Sequence, residues 1–298
     1  MCGIVGYLGE KKASDVILSG LEKLEYRGYD SCGISFYSND THQFITYKDK
    51  GRVKHLVEDF NYHLTNHLGI GHTRWATHGK PNQINSHPHF SNNQRFSIVH
   101  NGVIENYKEL TAKFLPQMRF ISETDTEIIA NLIEHFTQDN SVDEAIRKTL
   151  SLIEGSYALL IIDTLSPNKL YAAKNKSPLL IGVGKDGITL ASDVMALVGH
   201  ADEYYPIEDK TFTTVTKTLD GTYHYELVDI IGKPVQFHLF KIDMVLDEIG
   251  KAGYAHFMLK EICEQPSVVR KIMSKYMEND TFFISPSILS MWIGRAHV

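Results

Sequence analysis

The sequence predicts an α+β fold in which antiparallel strands and helices form separate layers. Residues 157–228 supply the first observation, because short apolar or alternating segments follow one another there between turn residues, as in antiparallel sheets. The second is a pair of helices with clear start signals, at 124–136 and 141–153. Because these helices are paired rather than interleaved one by one with strands, the pattern does not favour a repeating βαβ arrangement.

The elements before residue 101 fit the same class. A short apolar strand is predicted at 4–8 and a helix at 14–27, where apolar residues recur at helical spacing and Gly28 stands at the position of a C-cap glycine. Further strands are predicted at 33–37, 43–48, 69–75 and 96–100.

The two paired helices begin with the same device. Thr124 is followed by Glu127 and Ser141 by Glu144, which is the spacing of a capping box. Strands are then predicted at 157–163, 169–173, 179–182, 188–191, 211–216 and 222–228, with a short helix at 193–199 and another at 255–264, before Pro266.

Neither a cofactor nor a metal is expected. The glycine-rich segment 182–187 has the spacing of a dinucleotide-binding loop, but a strand follows it, so no helix N-terminus receives a pyrophosphate. We interpret the segment as a hairpin turn. The histidines His78, His87 and His89 match no zinc-binding spacing, so no metal site is predicted.

Composition and charge indicate a globular protein with a sizeable core. Hydrophobic residues make up 43% and charged residues 22% of the 298 residues, and the net charge of −6 includes no basic block that would favour nucleic acid. No apolar run approaches the ~20 residues that span a bilayer, so no membrane partner is expected. The sparse cysteines Cys2, Cys32 and Cys263 favour a reducing compartment and a cytoplasmic protein.

Cys2 is the first candidate catalytic residue. Removal of Met1 would leave Cys2 at the N-terminus, with a free α-amine beside its thiol. The α-amine has an ordinary pKa of about 7.7–8.0 and therefore accepts a proton near neutral pH. Since the thiolate is the reactive form of cysteine, this amine supplies the base that the thiol needs. A chance start with small apolar residues is the alternative interpretation.

Three further segments carry groups suited to cleavage of an amino-acid amide. Asn101 and Gly102, at a strand end, offer a side-chain amide and a backbone N–H to an oxyanion, although a plain tight turn has the same sequence. Arg74 is suited to a substrate carboxylate and Asp125 to a substrate ammonium. A surface ion pair and a helix cap are the respective alternatives for these two residues.

Taken together, five segments resemble the glutaminase domain of the glucosamine-6-phosphate synthases, also called glutamine–fructose-6-phosphate aminotransferases. They lie at 2–7, 24–31, 72–79, 100–107 and 123–127, in that family's order and spacing. The resemblance implies an N-terminal-nucleophile hydrolase fold, which is a four-layer αββα sandwich with two antiparallel sheets.

The resemblance also implies the catalytic roles. Cys2 would attack the side-chain amide of glutamine, with its own α-amine moving the proton. Asn101 and Gly102 would form the oxyanion hole, and Arg27 would lie near the nucleophile.

The roles in substrate binding are implied in the same way. Arg74 would hold the α-carboxylate of glutamine and Asp125 its α-ammonium. Thr77 and His78 would line the loop that covers glutamine, and Trp75 would gate the passage of ammonia.

Three regions follow from the resemblance: a class II glutamine amidotransferase domain at 1–240, an interdomain connector at 241–274 and an atypical tail at 275–298. The family's sugar-phosphate domain should follow the connector and is not found in this sequence, so we interpret the chain as truncated or fragmentary. We expect it to hydrolyse glutamine to glutamate and ammonia. Fructose 6-phosphate would be used only through the missing acceptor domain.

Two other functions stay open at this point. Another enzyme with an N-terminal cysteine, such as a phosphoribosylamine-type glutaminase or a bile-salt-hydrolase-like amidase, would share Cys2. The pair of Arg74 and Asp125 argues against a bulky amide, because both residues suit a free amino acid. The other alternative is an inactive fragment that serves as a binding or dimerisation module, and a homodimer is compatible with either function.

Overall fold

Two stacked antiparallel sheets form the centre of the larger part of the chain. The computed structural model describes residues 2–58, 63–75, 82–242, 254–255, 257–278 and 281–282. The chain divides into two units, Met1–Asp243 and Met244–Val298, and both sheets lie in the first unit. The three-region organisation of the sequence remains a prediction.

The first sheet holds the N-terminal strand near its middle. In spatial order its described strands are β14 (Phe240–Lys241), β11 (Glu203–Pro206), β9 (Leu180–Gly184), β10 (Gly187–Ala191), β1 (Gly3–Gly9), β4 (Asn66–Arg74), β2 (Ser31–Ser38) and β3 (Gln43–Asp49). Strand β1 is buried along its whole length, which explains its unbroken apolar and glycine sequence. Because β1 lies between β10 and β4, Cys2, the residue before it, lies at the end of a central strand.

The second sheet is also antiparallel and contains the segment predicted to supply the oxyanion hole. In spatial order its described strands are β13 (Tyr223–Asp229), β12 (Thr211–Lys217), β8 (Lys169–Asn175), β7 (Gly155–Asp163), β6 (Phe96–Ile104) and β5 (His89–Phe90). The register of β6 on β7 places Asn101 opposite Ala158 and Gly102 opposite Tyr157.

Apolar side chains fill the space between the sheets and cover their outer faces. Between the sheets, Ile4 and Leu68 of the first belong to one core cluster with Leu160 and Leu170 of the second. Helices α1 (Ala13–Leu24) and α2 (Val53–Glu58) belong to the core on the outer face of the first sheet. Helices α3 (Tyr107–Phe114), α4 (Thr126–Phe136) and α5 (Val142–Leu152) cover the second. The layers are therefore αββα, as predicted.

Two local predictions are confirmed in atomic detail. At the start of α5, Ser141 accepts a hydrogen bond from the Glu144 N–H while the Glu144 carboxylate accepts one from the Ser141 N–H, which is a complete capping box. Strands β9 and β10 pair as a hairpin, and Gly187 has a φ of +147° at its turn. The glycines of this segment therefore serve a turn and not a phosphate site.

The start of α4 differs from the prediction. Asp125 is its N-cap residue and makes no capping hydrogen bond with its side chain. The Glu127 carboxylate accepts hydrogen bonds from the N–H groups of Ile121 and Ser122, which lie outside the helix, instead of closing a capping box. The Asp125 carboxylate therefore does not cap the helix and is free of that role.

Gly28 stands at the C-cap position, as predicted, but its backbone is extended there. Helix α1 ends at Leu24, a 3₁₀ turn follows at Glu25–Arg27, and Gly28 is extended, with a φ of 177°. A Cβ atom at Gly28 would lie 2.8 Å from the carbonyl carbon and oxygen of Arg74 and 2.9 Å from the Trp75 nitrogen. Glycine is required here by the close approach of the Arg74–Trp75 backbone.

The described residues of the second unit form a helix and a short hairpin. Helix α6 (Phe257–Tyr276) contains Pro266, so the prediction that it ends before this proline is wrong. A proline lacks the backbone N–H and so removes one helical hydrogen bond, but the helix continues through Pro266 to Tyr276. Strands β15 (Met277–Glu278) and β16 (Thr281–Phe282) pair after it, and residues 283–298 of the predicted tail lie outside the described residues. None of the described helices is both long and apolar enough to cross a bilayer.

Candidate active site

The thiol of Cys2 lies where β1 and β4 begin to pair. Because Gly3 is opposite Thr73, Cys2 faces the end of β4, and its Sγ atom accepts a hydrogen bond from the Trp75 N–H at 3.2 Å. Burial raises the pKa of the Cys2 thiol, against the opposing effects of this N–H and of the Arg74 charge. The thiol is therefore protonated at neutral pH, and its use as a nucleophile requires a nearby base.

Asn101 reaches the same place from the second sheet. Its Nδ2 atom donates a hydrogen bond to the Cys2 carbonyl oxygen at 3.1 Å, which links β6 to the residue that carries the thiol. Gly102 follows with a φ of +141°, and a Cβ atom there would lie 2.0 Å from the Ser156 carbonyl oxygen. A residue with a side chain does not fit, so the sequence Asn101-Gly102 is a requirement of this strand and not a chance turn.

Arg74 and Asp125 place opposite charges near the thiol. Arg74 is the last residue of β4 and is 4% exposed, while Asp125 at the start of α4 is 8% exposed. The Asp125 Oδ2 atom accepts a hydrogen bond from the Ile104 N–H at 2.7 Å, which fixes the carboxylate against the end of β6. Buried charges are costly unless they are compensated, so a cation and an anion in one site favour a ligand that carries both signs.

Cys2, Arg74, Gly102 and Asp125 line one cavity of about 30 Å³. This volume holds one or two water molecules. A ligand of amino-acid size therefore requires side chains of the wall to move. The structure thus brings together the predicted nucleophile, one oxyanion-hole residue and both charged residues, and it places the Asn101 amide against the Cys2 carbonyl.

Two of the predicted glutamine-binding residues cannot be placed, and a third has an unexpected contact. Thr77 and His78 lie outside the described residues. Trp75 lines the cavity, its side chain is half exposed, and its ring meets that of Tyr29 edge to face at a centroid distance of 6.1 Å. Its backbone N–H, not its indole, contacts the Cys2 sulfur. Because every residue except proline carries a backbone N–H, the residue type at position 75 does not predict this contact.

Arg27 lies beside the nucleophile strand and is not among the described residues that line the cavity. Its Nη1 atom donates to the Asp193 carboxylate at 3.0 Å and to the Ser192 carbonyl oxygen at 3.3 Å. Ser192 in turn exchanges hydrogen bonds with the backbone of Ile4, both at 3.0 Å. This geometry suits Arg27 to holding β1 in place.

Four buried histidines form a cluster beside the site, and three of them, His72, His87 and His100, line the cavity. The sequence analysis gave none of them a role in it. The rings of His72 and His87 stack at a centroid distance of 4.2 Å, and His89 meets His87 edge to face at 4.7 Å. The His72 Nε2 atom donates to the carbonyl oxygen of the fourth, His100, at 3.1 Å. Thr124 joins this group, because its hydroxyl lies 3.1 Å from the His89 Nε2 atom.

Burial lowers the pKa of each of these histidines. The pKa of His72 falls to about 3, and those of His87 and His89 lie well below the ordinary value, where the neighbouring imidazoles and the charges of Arg74 and Lys48 add to the effect. For His100 the Asp125 carboxylate opposes the lowering. Within the described residues, no group of three or more His, Cys, Asp or Glu side chains is arranged to hold a metal ion.

Comparison with known proteins connects this geometry to a family. A family model described as a glutamine amidotransferase domain matches residues 72–199. The glutamine–fructose-6-phosphate aminotransferase (isomerizing) of Bacillus cereus strain ATCC 10987 is 46% identical over 281 residues, which are 94% of this chain and 46% of that protein. The enzyme of the same name from Listeria monocytogenes is 49% identical over 278 residues, which are 93% of this chain and 45% of that protein. The chain spans about half the length of the curated relatives that it matches.

Solved structures share the fold. The glutamine phosphoribosylpyrophosphate amidotransferase of B. subtilis, complexed with ADP and GMP, matches with a TM-score of 0.64 at 24% identity. A structure described as the allosteric regulatory enzyme of purine biosynthesis matches with a TM-score of 0.65 at 25% identity. Each match covers 77% of this chain and 49% of the other. The likeness confirms the predicted N-terminal-nucleophile hydrolase fold, with its two antiparallel sheets between helical layers.

Proposed function

We propose that this chain, which is similar to glutamine amidotransferases over residues 72–199, hydrolyses the side-chain amide of glutamine to glutamate and ammonia through a covalent bond to Cys2. One observation carries the proposal. A nucleophile, a cation and an anion, namely Cys2, Arg74 and Asp125, line the same small cavity although they come from three separate segments of the chain. These groups match the amide, the carboxylate and the ammonium of glutamine.

Binding of the amino acid relies on the two buried charges. The planar Arg74 guanidinium is suited to pair with the α-carboxylate through two parallel hydrogen bonds. The Asp125 carboxylate, held by the Ile104 N–H, receives the α-ammonium. Each charge of the substrate pairs with a buried side chain of opposite charge. An amide without these charges, or one too bulky to reach both side chains, therefore binds poorly. The site thus selects a free amino acid before any chemistry begins.

Cleavage then proceeds through an acyl-enzyme. With Met1 removed, the α-amine of Cys2 accepts the thiol proton, and the sulfur attacks the amide carbon of glutamine. The Asn101 Nδ2–H and the Gly102 N–H stabilise the negative oxygen of the tetrahedral intermediate. The amine returns the proton to the leaving nitrogen, ammonia departs, and water hydrolyses the thioester to glutamate. The raised pKa of the Cys2 thiol makes this internal base necessary.

A covalent label tests the proposal most directly. The purified chain is incubated with a diazoketone analogue of glutamine, and the modified residue is identified by mass spectrometry. We expect one adduct per chain, on the sulfur of Cys2, in molecules that lack Met1. Glutamate release from glutamine should disappear in step with labelling, and excess glutamine should protect. An adduct elsewhere, or activity in fully labelled protein, contradicts the proposal.

Asn101→Ala provides a separate test of the oxyanion hole. We expect kcat for glutamine hydrolysis to fall by about 10²–10³-fold with little change in KM, because the oxyanion exists only after attack. Asn168→Ala is a suitable control, since Asn168 is an exposed residue whose amide donates to the Lys217 carbonyl, and neither residue lines the cavity. A raised KM with unchanged kcat would show that Asn101 serves substrate binding alone.

We further propose that the ammonia serves an amino-sugar synthesis. The supporting observation is the name of the relatives, glutamine–fructose-6-phosphate aminotransferase, at 46–50% identity. In this proposal fructose 6-phosphate is bound by an acceptor domain outside residues 1–298, so glutamine hydrolysis by residues 1–298 alone should not respond to added fructose 6-phosphate. Stimulation by the sugar phosphate would contradict it. Assembly as a homodimer and location in the cytoplasm remain predictions, and the three unpaired thiols suit a reducing compartment.

A further inference from the structure

One hydroxyl group lies between a buried imidazole and the carboxylate assigned to the substrate ammonium. The hydroxyl belongs to Thr126, whose Oγ1 atom is 3.0 Å from the His100 Nδ1 atom and 3.5 Å from the Asp125 Oδ1 atom. His100 and Thr126 are buried, at 3% and 1% exposure. Because a hydroxyl has one hydrogen to donate, it serves either the imidazole or the carboxylate.

The surroundings of His100 decide between these two partners. Its Nε2 atom lies 3.4 Å from the Ser156 carbonyl oxygen, which can only accept a hydrogen bond. Burial disfavours a charged imidazole, so the single ring hydrogen is on Nε2 and the Nδ1 atom is an acceptor. The Thr126 hydroxyl therefore donates to His100 Nδ1, its nearer neighbour, and turns away from Asp125.

The consequence falls on the two oxygens of Asp125. Oδ2 already accepts the Ile104 N–H at 2.7 Å. Oδ1 lies 3.5 Å from the Thr126 hydroxyl oxygen, and with the hydrogen directed to His100 its lone pairs stay available to a ligand in the cavity that Asp125 lines. If the hydroxyl turned toward Oδ1, it would compete with a ligand ammonium for the lone pairs of that oxygen.

We propose that His100 is a positioning residue for substrate recognition: by accepting the Thr126 hydroxyl hydrogen, it keeps the Asp125 Oδ1 atom open to the α-ammonium of glutamine. The inference rests on the proposed function, because it deepens the role given there to Asp125. It assigns His100 an effect on glutamine binding and no effect on the attack of the Cys2 sulfur on the amide.

A pair of variants tests the hydrogen-bond direction. His100→Leu removes the acceptor, so the hydroxyl turns to Asp125, and KM for glutamine is expected to rise about tenfold with kcat nearly unchanged. Adding Thr126→Val removes the competing hydroxyl and should recover most of that loss. His100→Asn, whose side-chain oxygen replaces the Nδ1 acceptor, should keep KM within about threefold of the parent.

A second substrate separates this effect from general damage. The probe is 4-carbamoylbutanoate, which is glutamine without its α-amino group and makes no demand on Asp125. We expect His100→Leu to leave KM for this compound unchanged, while KM for glutamine rises. Asp125→Asn serves as the reference, since it should show the same selectivity. If Asp125→Asn does not discriminate between the compounds, the role of Asp125 in the proposed function fails; if it does and His100→Leu does not, only the present inference fails.

Thr126→Val alone gives an answer even where His100→Leu does not fold. With the hydroxyl gone, nothing competes for Oδ1, so glutamine should bind at least as tightly as to the parent. Its dissociation constant is measured by calorimetry in a Cys2→Ala background, which prevents turnover. Weaker binding by tenfold would show that the hydroxyl itself supports the ligand, and an unrescued double variant would show that His100 acts by another route. Either result overturns the proposal.

Discussion

Replacement of Cys2 by alanine is expected to reduce glutamate release from glutamine by about 10³-fold or more, which is to the detection limit of a discontinuous assay. The reason is that the variant loses the atom that forms the covalent bond. The charged residues Arg74 and Asp125 are unchanged, so glutamine should still bind. Calorimetry with glutamine therefore separates loss of chemistry from loss of the site, and a circular dichroism melt confirms that the variant is folded.

The other two cysteines provide matched controls for this variant. Cys263 lies on the exposed surface of α6, and Cys263→Ala should retain the parent's rate. Cys32 is buried in β2, where burial raises the pKa of its thiol to about 12, so it has almost no thiolate at neutral pH. Substantial glutaminase activity in Cys2→Ala would contradict the covalent mechanism and would favour an amidase that uses another nucleophile or an activated water.

Local patterns in the sequence predicted most of the strands, because their signals are short-range. The hairpin of β9 and β10 was predicted from glycine-rich turn residues between two apolar runs, and the capping box of α5 from the spacing of Ser141 and Glu144. In both cases the interacting groups are a few residues apart, so the chain's own order specifies them.

Elements decided by distant contacts were not predicted. Helix α3 has Leu110 as its single fully buried residue, so its sequence carries little of the apolar periodicity that marks a helix. The extended Gly28 is explained by the backbone of Arg74 and Trp75, nearly fifty residues away. The acidic residue expected to cap α4, Glu127, instead holds the backbone of the preceding loop.

The site shows the same division. The residues of the site were predicted from motifs and from the family resemblance. Their proximity depends on the order of the strands in the sheets, which the motifs do not give. Strand β1 pairs with β4, which brings Cys2 to Trp75, and Asn101 reaches Cys2 from the other sheet. The histidine cluster was missed, since four histidines spread over residues 72–100 carry no periodicity that indicates mutual burial. A buried polar cluster is a property of the packed sheets, which the sequence does not display directly.

That cluster leads to the second large expected effect, which concerns stability in acid. His72, His87 and His89 have pKa values lowered by burial, to about 3 for His72 and well below the ordinary value for the other two. In the unfolded chain their pKa is about 6.5, so below that pH the unfolded state binds protons that the folded state does not. The free energy of unfolding is therefore highest above about pH 6.5, and it decreases as the pH falls toward the pKa values of the folded protein.

The size of the loss follows from the linkage relation. At pH 5.5 each neutral buried histidine costs roughly 1–2 kcal/mol relative to pH 7.5, so the three together lower the free energy of unfolding by about 4 kcal/mol. This is a large share of the 5–15 kcal/mol that is usual for a folded protein. Urea denaturation at pH 7.5, 6.5 and 5.5, followed by circular dichroism, measures it, and the midpoint should move to lower urea with each step.

Single replacements assign this loss to the cluster. His89→Gln removes one buried titrating group while its side-chain amide can still meet the Thr124 hydroxyl, so the free energy lost between pH 7.5 and 5.5 should shrink by roughly 1–2 kcal/mol. His55 is largely exposed at the surface, and His55→Gln should leave the loss as it is in the parent. If unfolding free energy is flat over this range, or if both variants change it equally, the buried histidines are charged in the folded protein and the argument from their burial is wrong.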